Sequence, residues 1–219
     1  MSSTKATISS LLNNNEYQSL AGCFDNDEDR LIDLSSALEK NPNLKSLILD
    51  YNYIGENGCA HLSTALKKNG TLRFLSLSYN KISDEGVRLI CEGLKENITL
   101  QVLYLGFNQI TEVGAKSLAQ LLQTNKTLTF LSVGANHLGS NGLQAISEAL
   151  RKNKTLTELH LFDTNLNDEA GEFLLSSLGY NSTLSTVTLF DNHFTAERKE
   201  DKSFIPVFKK IYQACEVKK

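Results

Sequence analysis

The chain has 219 residues, 41% hydrophobic and 21% charged, which is enough apolar material for one continuous core. Its 22 Lys and Arg against 25 Asp and Glu leave a net charge of −3, so there is no surplus of positive charge to neutralise phosphates, and nucleic-acid binding is not expected. No apolar run approaches the ~20 residues that span a bilayer, and Met1 to Leu12 holds no apolar signal-peptide core, so no membrane insertion is expected either.

In chain order, Ile8, Leu11 and Leu12 predict a short leading helix. Residues 30–41, Arg-Leu-Ile-Asp-Leu-Ser-Ser-Ala-Leu-Glu-Lys-Asn, predict a longer one. The strand that belongs near residue 16 lacks its leucines, as a degenerate N-terminal repeat should. From Leu44 onward the chain repeats every 28 residues: Leu44, Leu72, Leu100, Leu128, Leu156 and Leu184 fall in one column. Three further apolar columns begin at Leu47, Leu49 and Ile54 and persist through Val187, Leu189 and Phe194. A fifth column reads Asn52, Asn80, Asn108, Asn136, Thr164 and Asn192. An Asn there turns the chain after a short strand, and its amide can bond the backbone of neighbouring turns. At Thr164 either Asn165 shifts in or the ladder loosens.

The second half of each unit predicts a helix. Val87, Ile90 and Leu94 share one face, as do the pairs Leu118 and Leu122, Ile146 and Leu150, and Leu174 and Leu178. Ser83, Thr111 and Asn167 stand at N-cap positions, followed by acidic residues, and Lys67, Lys68, Lys95, Arg151 and Lys152 populate the last turns. Five sequons, at Asn69, Asn97, Asn125, Asn153 and Asn181, recur with the same period. Helix closure by Asn and strand entry by Thr explain them without a glycan.

The pattern LxxLxLxxNxI followed by a helix, over residues 16 to 195, resembles the leucine-rich repeats of the ribonuclease-inhibitor type. That resemblance implies an α/β leucine-rich-repeat solenoid, a horseshoe arc with a parallel β-sheet on the concave side and α-helices on the convex side. Ribonuclease inhibitors alternate repeat lengths and are rich in Cys. This chain is uniform and has 4 Cys, so the resemblance carries the fold rather than that inhibition. A stack of repeats must cover both apolar ends. The expected organisation is an N-terminal helical cap with a degenerate repeat at 1–43, repeats at 44–195 and a C-terminal helical cap at 196–219. In that last segment Phe204, Phe208, Ile211, Tyr212 and Cys215 recur at helical spacing behind Pro206.

Side chains between the leucine columns point out of the sheet. They include Tyr51, Phe74, Tyr79, Tyr104, Phe107, Phe130, His160, Phe162, Asp163, Phe190 and Asp191. So aromatic a face predicts a partner-binding surface, with Lys45 and Arg73 towards one end and Glu158, Asp163 and Asp191 towards the other. The nearest approach to a catalytic set is Ser132, His160 and Thr188 on adjacent strands. No glycine-rich turn or helix N-terminus converges on them as an oxyanion site, so no enzyme is expected. Cys23, Cys59, Cys91 and Cys215 form no CxxC pair, and no ligand cluster predicts a metal or cofactor.

The expected function is a non-enzymatic interaction module: a cytoplasmic monomer holding a protein partner on its concave face, with a bacterial effector delivered into a host cell as one setting. Two alternatives stay open. Activators of small GTPases include a family with similar repeats, and a sensor of larger size could contain such an array.

Overall fold

Two apolar periods, short in the strand half and 3.6 in the helix half, dictate an alternation of elements. The computed structural model describes residues 8, 15–24 and 27–195. Within them β1 (Tyr17–Ser19), β2 (Ser46–Ile48), β3 (Phe74–Ser76), β4 (Val102–Tyr104), β5 (Phe130–Ser132), β6 (Glu158–His160) and β7 (Thr186–Thr188) alternate with six helices. These are α1 (Glu28–Lys40), α2 (Gly55–Lys68), α3 (Asp84–Lys95), α4 (Glu112–Thr124), α5 (Gly139–Leu150) and α6 (Asp168–Leu178). The seven strands make one parallel sheet in chain order. Strands sit ~4.8 Å apart whereas helices need ~10 Å, so the sheet lines the inside of the arc.

From β2 to β7 the pairing advances by one 28-residue unit, Ser46 opposite Phe74 and Phe74 opposite Val102. β1 differs: Tyr17 lies opposite Ser46, one residue out of phase. That extra residue puts Gln18 opposite Leu47 and lets Leu20, also buried, stand in for the next leucine. The leucines predicted to be missing near residue 16 are missing, yet the strand forms and caps the sheet. The C-terminal cap expected at 196–219 lies outside the described residues, as do Leu11 and Leu12 of the leading helix.

The middle residue of every strand from β2 onward, Leu47 through Val187, is 0–4% exposed. Opposite them pack Leu34, Leu38, Leu62, Leu66, Ile90, Leu94, Leu118, Leu122, Ile146, Leu150 and Leu174 of the helices. Ser83, Thr111 and Asn167 accept from Gly86, Val113 and Ala170 N–H, as N-caps should. Gly55 and Gly139 occupy the same place in their repeats at φ +59°, a left-handed entry that needs no side-chain cap. Arg151 and Lys152 lie just past α5 rather than in its last turn.

Two asparagine ladders tie the repeats together. Asn108 donates from Nδ2 to the carbonyls of Leu77 and Leu105, both at 3.0 Å, and its Oδ1 accepts from Asn80 and Ile82 N–H, both at 3.0 Å. The sequon asparagines form the second ladder. Asn97 donates to Leu66 O at 2.7 Å and accepts from Thr99 and Leu100 N–H at 3.0 and 2.8 Å. All five sequon asparagines are at most 8% exposed, so their amides serve the fold and are closed to a glycan.

At Thr164 the first ladder loosens. Its hydroxyl donates to Leu161 O at 2.7 Å within its own repeat, and no side-chain bond from Thr164 to the preceding repeat forms among the described residues. Asn165 does not replace it, being exposed at φ 60°. Thr164→Asn is therefore expected to restore bonds to Val133 O and to the Asn136 and Leu138 N–H groups. At ~1–3 kcal/mol for each buried N–H group that is paired again, it should raise the melting temperature by at least about 4 °C. An unchanged or lower value in a calorimetric scan would count against this geometry.

Candidate functional site

The inner face carries two rows of rings. On the strands themselves Phe74, Tyr104, Phe130 and His160 follow one another with centroids 5.4, 4.7 and 4.6 Å apart. The pairing explains the zigzag, because the rings alternate between the first and last residues of successive strands. At the rim, Tyr51 stacks on Tyr79 at 4.2 Å and Tyr79 on Phe107 at 4.1 Å, with planes within 14°. Phe107 meets Phe162 at 5.9 Å, and Phe162 stacks on Phe190 at 5.0 Å. All nine predicted aromatic and imidazole rings thus join one of two ladders, and Asp163 and Asp191 stand exposed beside the second.

Tyr51, Tyr79 and Phe107 hold φ values of 60°, 58° and 54°. Bulky residues avoid this left-handed region, at a cost of ~1–2 kcal/mol each. Nevertheless these rings remain 37–55% exposed, so burial does not repay that cost in full. The ladder changes columns after Phe107, where Ala135 offers no ring. Phe162 fills in from the neighbouring column by leaning over Gly134, at which a Cβ would lie 2.2 Å from the Phe162 ring. Gly134 had not stood out in the sequence as a positioning residue; the signal was its place between Phe107 and Phe162 in a face of rings.

Lys81 was also missed. It sits 4.4 Å over the Tyr53 ring, and with Tyr51, Tyr53, Tyr79, Phe107, Asn108 and Gln109 it lines a groove of ≈ 310 Å³. Charge on the face is more compensated than the sequence suggests, since Lys45 is paired with Glu16. Asp50 accepts from Ser76 Oγ and Ser78 N–H.

Ser132, His160 and Thr188 are neighbours in register. They do not form a relay: His160 Nε2 and Thr188 Oγ1 are buried without hydrogen-bond partners, and Glu158 Oε2 stands 3.8 Å from His160. Burial holds the imidazole below its usual range, against the pull of Glu158, which favours the neutral ring. Burial also raises the Tyr104 phenol, with Glu158 adding to it. The Cys59 and Cys91 thiols are pushed up to about 12 by burial, so neither supplies a thiolate nucleophile near neutral pH. Among the described residues no group of three His, Cys, Asp or Glu could hold a metal ion, and no helix is long and apolar enough to cross a membrane.

Five segments, 40–63, 68–91, 96–119, 124–147 and 152–175, match the model of the family described as Leucine Rich repeat. Together they cover more than half of the chain. No curated protein sequence matches. Among solved structures, the chain is similar to the leiomodin-1 actin-binding site 2, with 20% identity over 79% of this chain and 84% of that one and a TM-score of 0.51. It is similar to the tropomodulin C-terminal domain of Caenorhabditis elegans, with 18% identity over 70% and 92% and a TM-score of 0.55. An internalin of Listeria monocytogenes aligns at 22% identity over 80% and 48% with a TM-score of 0.48.

Proposed function

The chain belongs to the leucine-rich repeat family, and from that premise we propose that it is a non-enzymatic module holding a protein partner on the concave face of its sheet. The observation that carries this reading is the pair of ring ladders. Aromatic side chains in a left-handed backbone, displayed rather than buried, cost stability and offer rigid contact area in return. The flat strand face is only ~400 Å² at ~4.8 by ~3.3 Å per residue, about half of one partner's share of a standard interface. The groove lined by Tyr53, Lys81 and Gln109 extends it at the rim.

Uniform 28-residue units, each with a convex helix of 11–14 residues from α2 to α6, support placement in the ribonuclease-inhibitor-like subfamily. The proposed setting is the inside of a cell, its own or, for an effector, a host's. Support comes from the sequon asparagines, which are committed to the fold, and from Cys23, Cys59 and Cys91, which are free thiols. The proposed state is a monomer, and no cofactor enters the proposal.

The test is affinity capture from cell lysate, read by mass spectrometry, with the native chain and a Tyr104→Ala/Phe130→Ala variant shown to be folded by circular dichroism. A protein held by the first and lost by the second is the expected result. Undiminished capture by the double variant would remove the concave face as the binding surface.

A further inference from the structure

Two rows of residues line the groove at the rim: the stacked rings of Tyr51, Tyr79 and Phe107 and, two positions later in each turn, Tyr53, Lys81 and Gln109. The first row is left-handed in every repeat from Tyr51 to Asp191, as the turn requires. The second is not uniform. Tyr53, Lys81 and Asn165 hold φ values of 51°, 55° and 60°, whereas Gln109, His137 and His193 at the same place stay out of that region. Asn tolerates it because its short polar side chain can bond locally, a relief that Tyr and Lys lack. The two residues of this row without that relief meet at one cavity of ≈ 310 Å³, where Lys81 lies 4.4 Å over the Tyr53 ring. Backbone strain gathered beside a cavity points to a ligand clamp.

We propose that this groove seats an acidic side chain of the protein partner, its carboxylate on Lys81 and the apolar part of its segment against the ring stack. The lining brings one charge, the Lys81 ammonium, which makes no ion pair among the described residues. Lys45, Lys67, Lys68 and Lys116 each stand beside a glutamate instead. The carboxylates that flank these turns in the chain are engaged elsewhere: Asp50 by Ser76 and Ser78, Glu56 by Ser83, Asp84 by Thr111 and Gly114, and Glu85 by Arg88. None of them lines the groove. Tyr79 is stacked on both faces, so it meets the groove edge-on, with the positive rim of its quadrupole. A carboxylate would gain a charged hydrogen bond from Lys81 beside rings that keep water away. An apolar occupant would cover the ammonium without an anion, and a basic one would be repelled by it.

The inference rests on the concave face being the partner surface, and its test is arranged to fail separately from that reading. The probes are two acetylated and amidated tripeptides, Leu-Glu-Leu and Leu-Gln-Leu, which differ by one charge. Each is titrated through the millimolar range into the full chain at low salt while the ring signals of Tyr51, Tyr53, Tyr79 and Phe107 are followed by NMR. Saturable shifts at these rings are expected with the glutamate peptide, at an affinity about threefold or more above that of the glutamine peptide. Lys81→Gln should erase that preference and Lys81→Glu should reverse it. Both variants should fold, because Lys81 is exposed.

No saturable shift, equal affinities of the two peptides, or a preference that survives Lys81→Gln would each overturn the acidic seat. So would tighter binding of acetylated and amidated triproline, which would give the groove to a proline-rich segment. The Tyr104→Ala/Phe130→Ala variant leaves the groove in place. Lost capture by that variant without a charge-dependent peptide response would sink the seat and leave the face, whereas a charge-dependent response with undiminished capture would do the reverse.

Discussion

Leu131→Asp is expected to unfold the array. Leu131 is the middle residue of β5 and fully buried, and its neighbours in register, Leu103 and Leu159, are equally closed to water. Removing a buried Leu side chain alone costs ~3–5 kcal/mol. A carboxylate in its place adds several more, or must take up a proton to avoid them. The sum is comparable with the whole ~5–15 kcal/mol that stabilises a domain of this kind. Position sharpens the effect. Each repeat contacts only its neighbours, so a broken unit near the middle separates the array into two short stacks, each with a new apolar end. The expected result is loss of the cooperative melt and most of the helical circular dichroism at neutral pH, while Leu131→Met, at under ~1.5 kcal/mol, melts like the native chain. Cooperative melting with native helicity in the Asp variant would overturn the register of β5.

Asn108→Ala is expected to be the next most damaging change, although it removes a polar side chain. The substitution strips Asn80 N–H and Ile82 N–H of their acceptor and takes a donor from Leu77 O. Leu105 O keeps the amide of Asn136. Two buried donors left unpaired, at ~1–3 kcal/mol each, give a loss of roughly 3–5 kcal/mol, to be read as a shift of the urea midpoint at constant slope. Asn108→Asp separates the two roles of the amide, since it retains the acceptor and loses the donor. A loss below ~1 kcal/mol for Asn108→Ala would show that the turn finds water or other partners and that the ladder is not what joins the repeats.

The contrast with Thr164 shows how far the sequence could be followed. A column of Asn residues at one place in each unit announces that a backbone amide is needed there, and a single Thr in it announces a weak step. Which way the weakness resolves depends on whether a hydroxyl can reach the preceding repeat, a matter of about one bond length that only the folded backbone decides. The N-terminal strand is a similar case. Its sequence, Tyr-Gln-Ser, has no leucine period, and its one-residue phase shift is visible only once β2 offers an unpaired edge on which it can form.

The face followed the same division. Alternation across a strand placed Phe74, Tyr104, Phe130 and His160 on the inner side, and repeat phase placed Tyr51, Tyr79 and Phe107 in the turns. That Phe162 leans over Gly134 and so meets Phe107, two repeats away, follows from ring volumes competing for one surface. No linear pattern encodes that competition. Nor could the sequence show that Lys45 is neutralised by Glu16, 29 residues away and just ahead of a strand without a leucine signature.

By itself, the sequence determined the repeat length, the strand–turn–helix order, the buried columns and the side of the sheet each aromatic residue occupies. All of these follow from short-range periodicity and from the need to bury apolar faces. Only the tertiary structure decided which rings touch, which charges are paired and where the asparagine ladder loosens. Those outcomes depend on contacts between residues one repeat apart, or two in the case of Phe107 and Phe162, brought within a few ångströms by stacking, and on side-chain volumes that a period cannot resolve.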